Sequence, residues 1–505
     1  MDEKPEVGHV ENANVASISD AHKEYILDRH KTLELDPVPD FNDADPYNWP
    51  FRKKVINLLL VAFHAMMATF TAAAIQSAFA DIATDLNVSI HRATYLTSLV
   101  IAILGVAPLV WRPLSERYGR RPIFLISLIG SLVCNIGCAC SPTYATMGLC
   151  RALAGFFISP AAALGSATVA ETIFKRERAR YMGIWTVMVT LGVPTAPVIF
   201  GFVAYRVGYR WIYWILACTN AVQFILYLFF GPESRYIRGQ QQQQRSSFRQ
   251  QYFSFKRIDL TPLTWREFVS PLELVVRPCV LLSATAYSTV FLFASVFIAI
   301  EIPQLFVEKF HLNAEQIGLQ NISIILGTLI GEQLGGTLSD RWMWRRQCKM
   351  KERMVQPEFR LWLSYSGYLL VICGVIVFLI QIKQADARWN ITPIIGAGIA
   401  AAGNQIVTTV LITYAVDCYR DEAASIGVFI TFVRQELGFI GPFWFPTMIE
   451  TTKSFKAGLE VSLSCKPKFF EVSLGCKAMF FKVGLGCKAK FFKVNLSCKS
   501  WNNFA

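Results

Sequence analysis

Unbroken apolar runs alternate with short polar segments from residue 55 to residue 445. The hydrocarbon core of a bilayer is about 30 Å thick, so about 20 apolar residues in a helix cross it. The runs are continuous and do not alternate in polarity, which fits helices and not the strands of a barrel. Eleven spans are predicted, at 55–79, 93–110, 123–140, 145–170, 182–204, 212–230, 280–302, 317–337, 361–382, 391–416 and 423–445. The first does not read as a cleaved signal peptide, because 54 mostly polar residues precede it.

Lys and Arg between the spans set the orientation. The loops after spans 2, 4, 8 and 10 carry 16 of them, and those after spans 1, 3, 5, 7 and 9 carry 6. The first set, and the N-terminus with it, is therefore expected in the cytoplasm. Five units follow: a polar cytoplasmic tail (1–54), a six-helix bundle (55–230), a cytoplasmic linker containing a glutamine run (231–279), a second bundle with five recognisable spans (280–449) and a tail (450–505). In that tail Cys465, Cys476, Cys487 and Cys498 recur every 11 residues within a unit Lys-x-x-Phe-Phe-x-Val-x-Leu-x-Cys. An 11-residue helical period and a short strand both fit it. Lys interrupts every apolar stretch, so no unit crosses a bilayer. The tail reads as a translated tandem repeat standing where a twelfth span is expected.

Composition sharpens this picture. Of the 505 residues 53% are apolar and only 17% are charged, against roughly a quarter in soluble proteins. The formal charge of +13 resembles a nucleic-acid signal, but residues 451–505 alone hold ten Lys and two Glu. The rest of the excess lies between spans, so no nucleic-acid partner is expected. The 13 Cys are too sparse for a disulfide scaffold, and none forms a CxxC pair. There is no Gly-Lys-Ser/Thr phosphate loop, no HExxH and no nucleophile elbow. An enzyme or an ATP-driven pump is therefore not expected, nor is a metal or cofactor.

The segment after span 2 reads Arg112-Pro-Leu-Ser-Glu-Arg-Tyr-Gly-Arg-Arg121-Pro, and that after span 8 reads Gly336-Thr-Leu-Ser-Asp-Arg-Trp-Met-Trp-Arg345. Leu-Ser-acid-Arg thus recurs, with Glu116 and Asp340 separated by 224 residues. Such a pair, each after the second span of its bundle, marks a parallel duplication. With Asp45-Pro-Tyr-Asn-Trp49 before span 1 and Arg151-Ala-Leu-Ala-Gly155 in span 4, the chain resembles the major facilitator superfamily. Within it, residues 45–449 look most like the fungal twelve-spanner drug:proton antiporter branch, including its polyamine and organic-cation carriers. The resemblance implies an all-α membrane protein with a two-bundle, six-plus-six fold, its last span missing or replaced.

It also implies roles. Leu114, Ser115, Glu116, Arg117, Gly119, Arg120 and Arg121 match the family's gating signature, with Asp340 and Arg341 as the second copy. Arg112 stands where the signature opens with Gly. A carboxylate beside several guanidiniums forms a charge-assisted cluster, able to hold two bundles in one state and release them in another. Arg151 is assigned a part in proton coupling, by shifting a nearby carboxylate or binding substrate charge. Span 5 carries an eroded Gly/Pro element, with Pro197 and Gly201 in place but Ala196 and Phe200 where Gly is usual. This keeps an importer reading open.

Other polar residues interrupt the spans. Thr69, Ala73 and Gln76 share one face of span 1, Asn404 and Thr408 one face of span 10, and Gln405 and Thr409 an adjacent face. Thr69, Gln76, Asn404, Gln405 and Arg434 are the candidate substrate-binding residues. Glu332 in span 8 is the candidate proton carrier or cation counter-charge, with a helix–helix hydrogen bond or an ion pair with a loop Arg as its competing reading. Lone His64 reads as a packed residue. Arg434 and Glu436 lie about 200° apart on a helix, so Arg434 is expected to face a cavity and Glu436 a neighbouring helix. The expected activity is proton-gradient-driven transport of drug-like or cationic molecules by a monomer, in the plasma membrane or the vacuolar membrane. Import of polyamines and a non-transporting, decayed membrane protein are the alternatives.

Overall fold

The computed structural model describes residues 19–32, 35, 37–236, 257–259, 261–338, 341–342, 345, 357–385, 389–419 and 422–445. Asp340, linker residues 237–256 and the repeat tail lie outside the described residues. Among the described residues the regular structure is entirely helical. Among these residues ten helices are long and apolar enough to cross a membrane: span 1 (Phe51–Asp85), span 2 (Ile90–Tyr118), span 3 (Arg120–Ala139), span 4 (Tyr144–Thr172), span 5 (Tyr181–Val207), span 6 (Arg210–Phe230), span 7 (Pro278–Phe310), span 9 (Glu358–Gln384), span 10 (Thr392–Cys418) and span 11 (Ser425–Phe443). The chain is a multi-pass integral membrane protein.

The remaining expected span, span 8, is interrupted. It forms Ala314–Gln320 and Ile322–Gln333, followed by a π-helical turn at Leu334–Leu338. Asn321 sits at the break, and its amide donates to the carbonyls of Ile317 and Gly318. A side chain that bonds the preceding turn competes with the helix ladder there. A second difference concerns the segment after span 2. Hydropathy predicts a loop there, yet helix continues to Tyr118 and restarts at Arg120. Hydropathy marks where apolar sequence ends, not where the helix ends. The Arg112–Glu116 pair, 3.3 Å apart at i,i+4 spacing, suits a helix. Gly119 makes the turn at φ 98°, a backbone conformation that other residues rarely adopt.

Breaks also shape the spans that meet at the centre. Span 1 is helical to Ala73, turns through a 3-10 segment at Gln76–Ala78 and resumes at Phe79. Span 7 contains a π-helical segment, Leu292–Phe297. Before span 1, Asp45 Oδ1 accepts from the Tyr47 N–H at 3.0 Å and Lys54 Nζ donates to the Tyr47 carbonyl at 2.8 Å. The Asp45–Trp49 motif is thus a knot that fixes where the first helix begins.

Three apolar cores centred on Phe79, Phe124 and Val169 hold spans 1–6, and one continuous core from Leu274 to Phe445 holds spans 7–11. The two bundles meet towards the ends of the spans farthest from the N-terminus, here called the far face. Gly201 of span 5 faces Gly318 of span 8; a Cβ on Gly201 would sit 2.6 Å from the Ala314 carbonyl oxygen. Arg206 and Glu315 pair at 3.7 Å beside that contact. Span 2 meets span 11 through the stacked rings of Tyr95 and Phe443, 4.6 Å apart. Lipid tails are as apolar as the side chains, so close packing of small residues and rings drives such contacts.

Candidate functional site

Spans from both bundles surround a central cavity. Thr69, Ala73 and Gln76 of span 1 line it, with Thr190 and Pro194 of span 5. From the second bundle come Tyr287 and Phe291 of span 7, Asn404 and Gln405 of span 10, and Arg434 and Gln435 of span 11. All five candidate substrate residues therefore reach one space. The break in span 1 turns Gln76 inward. The π segment of span 7 adds an extra residue to the turn, and its Ala294, Ser295 and Val296 also line the wall. π segments recur at functional sites.

The polar groups differ in how they are engaged. Thr69 Oγ1 donates to the Val189 carbonyl at 2.8 Å and ties span 1 to span 5. Arg434 Nη1 donates to the Tyr287 hydroxyl at 2.9 Å, and its guanidinium lies 4.8 Å from the Phe291 ring centre. Asn404 Oδ1, Gln435 Oε1 and Arg434 Nε are buried without a hydrogen-bond partner among the described residues. Glu436 points away, against Gly105 of span 2.

Glu332 stands one layer behind the cavity wall. Its Oε2 accepts from Gln405 Nε2 at 2.6 Å and from Thr409 Oγ1 at 3.4 Å. Gln405 therefore touches the cavity with one side and this carboxyl with its amide. Arg151 is placed differently from its expected setting beside a carboxylate. It is 1% exposed, and it donates to the carbonyls of Leu96 at 3.1 Å and Ala72 at 3.2 Å. Ala72 lies at the end of the first helix of span 1, so Arg151 satisfies a carbonyl next to the break. It lies off the cavity lining. His64 is packed, 3.1 Å from Ser127 Oγ.

The gating signature forms a dense ionic cluster at the opposite end of the bundles, the near face. Leu114 packs into the apolar core under it. Ser115 Oγ donates to the Arg112 carbonyl at 2.7 Å and accepts from Arg120. Arg120 also pairs with Glu171 of span 4 at 2.9 Å. Arg121 donates to the carbonyls of Gly231 and Leu228, both at 2.7 Å. Glu233, just past span 6, accepts from the backbone N–H groups of Arg120 and Arg121 at 2.9 and 3.0 Å. Burial pushes the Glu233 carboxyl above the ordinary range, and those N–H donors oppose the shift. A Cβ on Gly119 would collide with Glu233 Oε2.

Arg117 points to the linker, where it pairs with Asp259 and, at 2.7 Å, with Glu267. Glu116 answers Arg112 on its own helix. Arg341 is exposed, and its neighbour Asp340 is not among the described residues. Sequence reading missed the carboxylates Asp259, Glu267 and Glu233, which sit in irregular segments without a repeated pattern. It also missed Tyr287, Phe291 and Gln435, which read as ordinary members of apolar runs.

Comparison with known proteins agrees with this architecture. The family model described as Major Facilitator Superfamily matches residues 58–442. An efflux pump of Floropilus chiversii, radE, is 26% identical over 83% of this chain and 81% of its own length. A cycloheximide resistance protein of Candida maltosa is 26% identical over 81% of this chain and 78% of its own. The MFS antiporter QDR3 of Candida albicans is 30% identical over 39% of this chain and 28% of its own length. Among solved structures, a bacterial homologue of the human lysosomal transporter Spinster, inward-facing and unoccupied, shares the fold. It has a TM-score of 0.53 and 15% identity over 83% of this chain and 87% of its own.

Proposed function

From the chain's membership of the Major Facilitator Superfamily, we propose that it is a proton-coupled secondary transporter that exports small organic molecules by alternating access. The observation that carries this is the cavity between bundles that touch at the far face. A largely apolar cavity with a few convergent polar groups suits a small organic ligand. Relatives named as an efflux pump, a resistance protein and an antiporter support export and exchange. The basic near face supports a cytoplasmic N-terminus, and the protein acts as a monomer in the plasma membrane.

In this mechanism substrate enters from the near face and contacts Gln405. Gln405 also holds Glu332, so filling the cavity and protonating Glu332 compete through one amide. The Arg117 cluster with Asp259 and Glu267 fixes the linker against the first bundle while the far face is closed. The test is efflux of a fluorescent organic probe from proteoliposomes holding the purified full chain. The expected result is efflux that accelerates with an imposed proton gradient. Glu332→Gln is expected to lose that gradient dependence while probe exchange without a gradient continues. Gradient-independent movement in the wild type would refute the coupling, and no movement of any probe would refute transport.

A further inference from the structure

We propose that the cavity binds a singly charged organic anion with an aromatic body. Its acidic oxygen sits on Arg434, and a hydroxyl or N–H of the same ligand reaches Asn404 and Gln435. This deepens the transport reading and rests on it for the ligand's passage, though not for its binding.

Arg434 is the charged residue of the cavity lining, and an Arg keeps its proton. No carboxylate among the described residues lies within ion-pair distance of it; its contacts are the Tyr287 hydroxyl and the rings of Tyr287 and Phe291. The nearby carboxyls are turned elsewhere. Glu332 is engaged by Gln405 and Thr409. Glu436 faces Gly105. Glu301 of span 7 is 2% exposed and off the lining.

A cationic substrate would thus meet a guanidinium with no counter-charge on the wall. An anion supplies the missing partner, and a guanidinium–oxyanion hydrogen bond in a water-poor site is strong. Arg434 Nε has no hydrogen-bond partner among the described residues. The buried acceptors Asn404 Oδ1 and Gln435 Oε1 also lack partners among the described residues, and Gln435 is 6% exposed. Two idle acceptors and one cation among the residues lining the same cavity describe a ligand with both an acidic oxygen and a donor group. Phe291 and Tyr287 offer ring faces to the ligand's body.

The test uses three probes on one ring system: 1-naphthoate, 1-naphthamide and 1-naphthylmethylammonium. Their binding to the purified full chain in detergent is measured by calorimetry, and their movement is measured in proteoliposomes. Naphthoate is expected to bind at least about tenfold more tightly than the ammonium probe. Arg434→Gln is expected to erase that gap, and Arg434→Lys to keep the order of preference with weaker binding. Thermal melting of each variant shows that it is folded. Equal binding of anion and cation by the wild type, an anion preference surviving Arg434→Gln, or binding of none of the three overturns the proposal. Naphthoate bound but not moved upholds the anion site and sinks transport. Ammonium moved while naphthoate is excluded sinks the anion assignment and leaves transport standing.

Discussion

Two guanidiniums at membrane depth serve different ends. Arg434 faces the cavity, whereas Arg151 is buried against backbone carbonyls of spans 1 and 2. Both were visible in the sequence because a charge in an apolar run is costly and needs a partner or a wet space. The partner of Arg151 was not visible, since backbone carbonyls leave no mark in side-chain pattern. Its planar fork reaches two carbonyls at once, which an ammonium does less well. Arg151→Lys should therefore lower stability by about 1–3 kcal/mol, read as a lower melting temperature. An unchanged melting point would show that the two bonds hold nothing.

Asp259 gives the linker contact a pH dependence. The Thr261 backbone N–H and hydroxyl, with Arg117 beside them, hold its carboxyl below the ordinary carboxylate range. A depressed carboxyl adds stability that is complete above its unfolded pKa, about 3.9, and is lost as pH falls through the folded value. The wild type should therefore lose more thermal stability than Asp259→Asn between pH 5 and pH 3. Equal loss in the two would remove Asp259 from the account.

At the scale of elements, apolar run length located ten of the spans and blurred the other. Asn321 interrupts span 8 through its own amide, and a lone Asn in an apolar run does not mark a break in the sequence pattern. The Leu-Ser-acid-Arg repeat located the cluster between spans 2 and 3. The partners Glu233, Asp259 and Glu267 come from distant segments, and only the fold brings them there. Gly201 and Gly318 bring spans 5 and 8 into close contact at the far face. Gly201 stood out as part of the Gly/Pro element in span 5, while its partner did not. A side chain at Gly201 meets backbone, which cannot swing aside. Gly201→Val should hold spans 5 and 8 apart and make far-face positions more reactive to impermeant reagents than in the wild type. Unaltered reactivity would mean that this contact does not seal the far face.

The whole molecule is two bundles around a shared cavity, joined by a linker pinned at Arg117. The two-bundle plan was legible because duplication leaves a repeated motif, and spans are long enough to read one by one. The bundles' relative setting was not legible, because it depends on small residues and rings at crossing points. Alternating access is a statement about that setting. It is tested by the distance between spin labels carried on non-canonical amino acids at Thr84 of span 1 and Glu308 of span 7, both exposed near the far face. The account predicts a short, far-closed population in the ligand-free protein, and a longer one that grows when 1-naphthoate and an inward proton gradient are supplied in liposomes. A single distance that neither ligand nor gradient shifts would contradict it.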